Sequence, residues 1–529
     1  MSSGAALDRA RAAGWRLEGE PGVLATLAEL VLPDPEIALV RSVVLRRTAQ
    51  RTVVRLDLPG TGPLLAKMEV EGGVEDTVRR LFRPSRARAE WEAARWLRQR
   101  GVRVPEPLAL AERGGGLRTR TTFYVCRFLE DVQPLGTVLA GAGEEEARTL
   151  LARAGALVRR MHEAGFDHRD LHTGNVLVGP APARDLVLID LHRSRLSAPR
   201  PRDVHAALGR LLAFVAVPTL EEAAQADALL GGWCGPQGAL DALARQVAPH
   251  VAAFRRARHA KHDAYALVEG PWYAAMPAPW RGVRGPDWPA ARVEERLRAH
   301  DRMLAGRDAR VLKDRPKSAV TRHGDVVVKE TRLPGWRSLL KRWLAPGRLV
   351  AGHVNAHRLR VRGIPTARSL ACVRGEQRIF TLYEDLGRLP RLDDLVRTLY
   401  RPGGPRVAQA RLRDACADWL AGLHVRGVYH GDVKSLHVLV EERAGGPAFV
   451  LIDTDRLRIL PRPVGLRRRL KNLAQLDASI PVSVTRSERL RWWLRYAAAV
   501  GAGDALRPTA RRLARLLARK VRVVHDPLE

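Results

Sequence analysis

The phrase HRDLHTGNVLV, residues 168–178, sets an aspartate, Asp170, five positions ahead of an asparagine, Asn175, and the next apolar run, LVLID, ends on Asp190. A loop aspartate can orient a hydroxyl and accept its proton. An amide oxygen and a carboxylate are the hard oxygen donors that a cation such as Mg2+ prefers. Upstream, Lys67 is the sole lysine among residues 1–260 of an arginine-rich chain. A position that keeps an ammonium where guanidinium is the default suits a compact point charge set against phosphate. A carboxylate to hold that lysine is expected from the helical stretch that follows, Glu90 first and Glu92 second. These residue types in this order point to phosphoryl transfer from a nucleotide to an alcohol, a reaction in which protein groups position and neutralise rather than form bonds.

The set is written twice. HGDVKSLHVLV precedes FVLID as HRDLHTGNVLV precedes LVLID, and a spacing of 262 residues relates His168 to His430, Asp170 to Asp432, Gly101 to Gly363 and Lys67 to Lys329. The lysine precedes the aspartate by 103 residues in both copies (67 to 170, 329 to 432). Asp432, Lys434 and Asp453 complete the second set. Two positions differ: His437 stands where the first copy has Asn175, and Gly352 stands at the Glu90 position, with Val354 at that of Glu92. Imidazole is a poor replacement for a carbonyl oxygen on Mg2+, and Lys329 is left without its obvious carboxylate. The first copy is therefore the expected catalyst, and the second is expected to be impaired or to serve docking or regulation. His168 and His430 are read as braces of their loops, and His172 and His192 as polar neighbours without an assigned role.

Elements must hold these residues in place. RTVVRLDL and GPLLAKMEV alternate as two strands with the lysine on the second, and SRARAEWEAARWLRQRG reads as a helix stopped at Gly101. A strand at TTFYVCRFLE, an amphipathic helix ending at Gly165, the HRDLHTGN loop, paired strands and a helical stretch over 202–264 complete copy one. DVVVKE, RLVAGHVNAHRLRVRG, IFTLYEDL and LRDACADWLAGLHVRG repeat that order, with helices near 466–498 and 505–520. The fold class expected is α+β: tandem bilobal protein-kinase-like domains, each with a small antiparallel β-rich lobe carrying one helix and a larger, mostly helical lobe. The expected divisions are an extension over 1–35, domain one over 36–267, a linker with a helix over 268–307, and domain two over 308–529.

Composition narrows the setting. At 529 residues and 46% hydrophobic, the chain can build two substantial cores. Its four cysteines form no CxxC pair, so neither a zinc site nor a disulfide framework is signalled. No leader or membrane span is read, and a cytoplasmic enzyme is expected. The net charge of +33 is almost all arginine spread along the chain. It suits an anionic partner and equally a coding bias, and without a segregated basic tail no specific nucleic-acid partner is implied. GWRSLLKRWLAPGR, residues 335–348, sets tryptophans and leucines on one stripe, which suits either an interfacial membrane contact or packing on its own lobe.

MHEAGFDHRDLHTGNVLV and LVLIDLHRSRL resemble the lipopolysaccharide core kinases, the WaaP and Kdo kinase group, also called InaA-type. VRGIPTARSLACV, HGDVKSLHVLV and LIDTDRLRI extend the resemblance to the second copy. It implies a protein-kinase-like fold, ATP and Mg2+ as cofactors, and transfer to a sugar hydroxyl of lipopolysaccharide core, or a related glycolipid, at the inner face of the cytoplasmic membrane. It implies Asp170 and Asp432 as catalytic bases, Lys67, Glu90, Lys329 and Lys434 as nucleotide-binding groups, and Asn175, Asp190 and Asp453 as metal ligands. Two departures stand out. Residues 40–56 hold no glycine, so no G-x-G-x-x-G lid covers the phosphates, and Arg46, Arg47, Lys313 and Lys317 are weak substitutes. No A-P-E segment follows Asp190, which argues against an ordinary protein serine/threonine kinase. A protein kinase, a small-molecule phosphotransferase and a pseudokinase scaffold remain the alternatives.

Overall fold

The computed structural model describes residues 8–501 apart from 9, 12, 36–41, 49, 73–83, 115–119, 218–219, 236–238, 334–345 and 444–445. The tryptophan stripe of 335–348 and the helix expected near 505–520 lie wholly or largely outside the described residues. The chain divides into two compact units, Met1–Ala257 and Arg258–Glu529. Both mix helices with antiparallel sheets.

The first unit opens with β1 (Trp15–Gly19), α1 (Pro21–Leu30), β2 (Val43–Arg47), β3 (Arg51–Leu58), β4 (Gly62–Glu71), α2 (Arg86–Gln99), β5 (Pro107–Arg113) and β6 (Arg120–Arg127). Its six-stranded sheet runs β1-β5-β6-β4-β3-β2. The residues read as an N-terminal extension thus add an edge strand, β1 pairing antiparallel with β5. Alternation along β4 separates two faces: Leu64, Ala66 and Met68 enter a core shared with α1, while Leu65, Lys67 and Glu69 face the other way. On that second face α2 packs through Ala87 and Trp91.

The chain then forms β7 (Gln133–Pro134), α3 (Leu135–Gly141), α4 (Glu144–Glu163), β8 (Phe166–His168), β9 (Val176–Val178), β10 (Leu186–Leu188) and β11 (Ser194–Leu196). The helical stretch expected over 202–264 resolves into α5 (Pro201–Phe214), α6 (Glu222–Cys234) and α7 (Leu240–Asp263). A separate core joins α4, α5 and α6 through Leu150, Leu157, Met161, Leu208, Leu211 and Leu229. The short pairs β9/β10 and β8/β11 bracket the HRDLHTGN loop and the end of LVLID, so both aspartates leave strands whose ends are fixed.

The second unit comprises β12 (Ala274–Ala275), β13 (Arg281–Arg284), α8 (Ala290–Gly306), β14 (Val311–Arg315), β15 (Ser318–His323), β16 (Val326–Arg332), α9 (Ala351–Val361), β17 (Ser369–Arg374) and β18 (Arg378–Glu384), followed by α10 (Leu392–Leu399), α11 (Arg406–Val425), β19 (Val428–His430), β20 (Val438–Arg443), β21 (Gly446–Leu451), β22 (Leu457–Ile459), α12 (Leu466–Ser479) and α13 (Arg486–Ala499). Its sheet runs β12-β13-β17-β18-β16-β15-β14. Five strands keep the order of the first unit, β17-β18-β16-β15-β14 matching β5-β6-β4-β3-β2. The stretch read as a linker supplies β12 and β13 to this sheet, because Val283 has an apolar seat beside Tyr273 and Cys372.

Candidate active site

Helical spacing decides which carboxylate reaches Lys67. Ser85 caps α2, its hydroxyl accepting the Arg88 N–H at 2.9 Å. Residues 87, 90, 91 and 94 share the face turned to the sheet, whereas Glu92 lies most of half a turn away. Glu90 is buried, and its Oε1 accepts from Lys67 Nζ at 2.5 Å. Glu92 is half-exposed and lies 4.0 Å from Arg88. Lys67 Nζ also lies 3.6 Å from Asp190 Oδ1. Burial acts to lower the Lys67 pKa, but Glu90 and Asp190 outweigh it and hold the ammonium charged.

Asp190 collects further donors on the same oxygen. Arg51 Nη2 and His192 Nδ1 both meet Oδ1 at 3.1 Å. Burial would raise the Asp190 pKa, but the His192 hydrogen bond, Lys67 and Arg51 together hold its carboxylate well below the ordinary range. Asp190 adopts φ 61°, a left-handed conformation that a non-glycine residue occupies at a cost of about 1 kcal/mol or more. This network offsets that cost.

Asp170 lies on the neighbouring loop, half-exposed, with Arg193 Nη1 3.2 Å from its Oδ2. His168 is fully buried and braces the turn. Its Nδ1 accepts the Asp170 backbone N–H at 3.3 Å, so Nε2 carries the proton that it donates to the Ile189 carbonyl at 3.2 Å. Burial lowers its pKa, in keeping with a neutral ring. That one imidazole therefore ties the Asp170 loop to the strand ending at Asp190. His172 acts locally, its Nδ1 accepting from Gly174 N–H at 3.0 Å. Asn175 is buried and spends its amide nitrogen on the Asp170 carbonyl at 2.9 Å, which commits its N–H donors to the loop and leaves its oxygen as the group able to face a cation.

Arg51 and His192 had no assigned role in the sequence. Arg51 could have been found by counting across the LDLPGTGPLL hairpin, which sets Arg51 opposite Glu69 and Val53 opposite Lys67, and Arg51 Nε lies 3.2 Å from Glu69 Oε1. Arg46 and Arg47, expected as phosphate cover, sit on the exposed strand β2. Lys313 lies on β14, and Lys317 in the turn between β14 and β15; both are exposed.

In the second unit Lys329 occupies β16, with Val320 opposite it as Val53 is opposite Lys67. Its ammonium meets Asp453 Oδ1 at 2.9 Å and Asp455 Oδ2 at 2.5 Å. The carboxylate that Lys329 lacks at the helix position of Gly352 is supplied instead by Asp455, from the loop after FVLID. Asp453 repeats the left-handed backbone, φ 55°. Asp432 Oδ2 lies 3.4 Å from Lys434 Nζ. The Arg51–Glu69 pair has no counterpart; the matching strand positions are Ser318 and Thr331.

The lipopolysaccharide kinase (Kdo/WaaP) family model matches residues 46–230 and 336–495, nearly two thirds of the chain. The chain belongs to the lipopolysaccharide kinase family. A 3-deoxy-D-manno-octulosonic acid kinase of Xylella fastidiosa strain M12 is 34% identical over 128 residues, which cover 24% of this chain and 49% of that protein. The lipopolysaccharide core heptose(I) kinase WaaP of Escherichia coli is 27% identical over 184 residues, 32% of this chain and 69% of that protein. The chain thus spans about half the length of the first of these relatives. A solved structure described as WaaP in complex with acyl carrier protein aligns at 24% identity and a TM-score of 0.36, covering 46% of this chain and 97% of that one.

Proposed function

We propose that this lipopolysaccharide kinase family member is an ATP-dependent phosphotransferase that phosphorylates a sugar hydroxyl of lipopolysaccharide core, or of a related envelope glycolipid, with the first unit as its catalyst. Its architecture on this reading is two protein-kinase-like domains in tandem, 36–267 and 308–529. The shared order of five strands and the recurring lysine, loop aspartate and strand-end aspartate support it.

The observation that carries the function is the convergence of Lys67, Glu90, Arg51 and Asp190 beside the Asp170 loop. Glu90 fixes Lys67 so that its ammonium can meet nucleotide phosphates without paying side-chain entropy at the moment of binding. Asp170, braced by His168, orients the acceptor hydroxyl and takes its proton as the oxygen attacks the γ phosphorus and the bond to the departing diphosphate breaks. Asn175 and Asp190 offer oxygen donors only, a set that fits Mg2+, whose chemistry when bound is to neutralise charge on the transferring phosphates. Arg51, held by Glu69 and Asp190, adds a second positive charge beside Lys67. Among the described residues no helix is long and apolar enough to cross a membrane. We place the enzyme in the cytoplasm, peripherally at the inner membrane face where such an acceptor is made.

The test is to incubate the full chain with γ-labelled ATP, Mg2+ and either core glycolipid or a casein-like protein. Label on the glycolipid is expected; label on protein alone would favour a protein kinase.

A further inference from the structure

The second unit's cleft is rebuilt around two linked changes. Gly352 lies in the first turn of α9 where the first unit has Glu90, and any side-chain carbon there would collide with Asp455 Oδ1 and the Tyr383 hydroxyl. The helix is then stitched to the loop: Thr454 Oγ1 donates to the Gly352 carbonyl at 2.9 Å, and Asn355 Nδ2 donates to the carbonyls of Thr454 at 2.9 Å and Leu457 at 3.0 Å. That loop delivers Asp455 to Lys329. A carboxylate has moved from helix to loop, and the ammonium keeps its partner.

His437 is the second change. Its Nδ1 contacts the Asp432 carbonyl at 2.9 Å, the contact that Asn175 Nδ2 makes in the first unit. A carbonyl only accepts, so Nδ1 carries the proton and, in the neutral ring, Nε2 holds the lone pair. Nε2 lies 3.7 Å from Asp453 Oδ2. Two donors that far apart can share one ion at bond lengths of about 2.0–2.2 Å. One imidazole nitrogen and one carboxylate oxygen do not suit Mg2+, which prefers oxygen throughout; first-row transition ions accept the nitrogen, Mn2+ more weakly than Zn2+ but more readily than Mg2+ does.

We propose that the second unit is a separate nucleotide-phosphate site, with Lys329 held by Asp455 and with His437 and Asp453 selecting a transition-metal ion such as Mn2+ over Mg2+. This rests on reading both clefts as nucleotide sites. Asp455 is a positioning residue here, acting through Lys329.

Titration calorimetry of the full chain with a non-hydrolysable ATP analogue tests it, run once in Mg2+ and once in Mn2+, with Mn2+ counted in parallel by electron paramagnetic resonance. About two nucleotides per chain are expected in Mn2+ and about one in Mg2+. Lys329→Ala removes the Mn2+-dependent equivalent. Asp455→Asn, which preserves volume should the alanine variant fold poorly, weakens it about tenfold. His437→Asn raises the Mg2+ count to about two. One equivalent in both metals, two in both, or a second equivalent that survives both Lys329→Ala and Asp455→Asn overturns the proposal while leaving the first unit's function intact. No binding in either metal overturns both.

Discussion

The clefts around Lys67 and Lys329 solve one electrostatic problem with different parts of the chain. In the first unit the helix α2 brings Glu90, while His192 leans on Asp190. In the second, the residue two beyond the strand-end aspartate is Asp455 rather than a histidine, and it takes over the lysine, with Gly352 clearing its space. A buried ammonium needs a carboxylate within about 3 Å, and it matters little which element carries it. Loss of the helical glutamate therefore does not mean loss of the charge pair. The position five residues beyond the loop aspartate differs more deeply, because Asn175 and His437 make the same backbone contact but present different donor atoms.

The largest effect that separates the units is catalytic. Asp170→Asn should lower phosphotransfer by about two to four orders of magnitude, whereas Asp432→Asn should change the steady-state rate in Mg2+ less than about threefold. A reversed ranking would make the second unit the catalyst. Next, Glu90→Gln leaves the Lys67 and Asp190 network short of one buried charge and should cost about 3 kcal/mol, read as a lower denaturation midpoint; Glu92→Gln, on the exposed side, should stay within about 0.5 kcal/mol. Equal effects would mean that the helix face has been misassigned.

Gly352→Ala sharpens the contrast further. Alanine gains about 1 kcal/mol of helix propensity, but forcing a methyl against Asp455 and Tyr383 costs about 1–3 kcal/mol, so the second unit should be destabilised slightly or at most break even. Lys329-dependent nucleotide binding should weaken as Asp455 is displaced. Hydrogen exchange resolved by unit measures the first, and calorimetry the second.

Acid should act unequally. Burial lowers His353 and His424 in the second unit to about 4, and His162 in the first to about 4. Because the folded pKa lies below the unfolded one, these rings contribute fully above about pH 6.5, and their contribution is lost as pH falls toward 4, when the unfolded chain takes up protons first. The second unit also buries His357 and His430 with lowered values, against His168 in the first. Exchange protection at pH 5 should therefore fall more in the second unit than in the first.

Strand periodicity, the glycine-terminated helices and the doubled aspartate-to-strand phrase made Lys67, Glu90, Asp170, Asn175 and Asp190 legible in the sequence. Their legibility has a physical source, since each is fixed by a local period of two or 3.6 residues or by a loop of set length. Asp455 and Arg51 were not legible in the same way. Asp455 reaches Lys329 across 126 residues, and only because Gly352 lets the helix approach. Arg51 depends on the register of a hairpin rather than on any motif. The stretches over 1–35 and 268–307 read as an extension and a linker, yet each supplies strands that pair at the edge of a sheet, β1 on β5 and β13 on β17.

Mass spectrometry of envelope glycolipids from cells lacking the gene, complemented in turn by wild type, Asp170→Asn and Asp432→Asn, tests the central claim most directly. The core sugar should lack one phosphate in the deletion and in the Asp170→Asn strain, and regain it with wild type and Asp432→Asn. A fully phosphorylated core in the Asp170→Asn strain would contradict it.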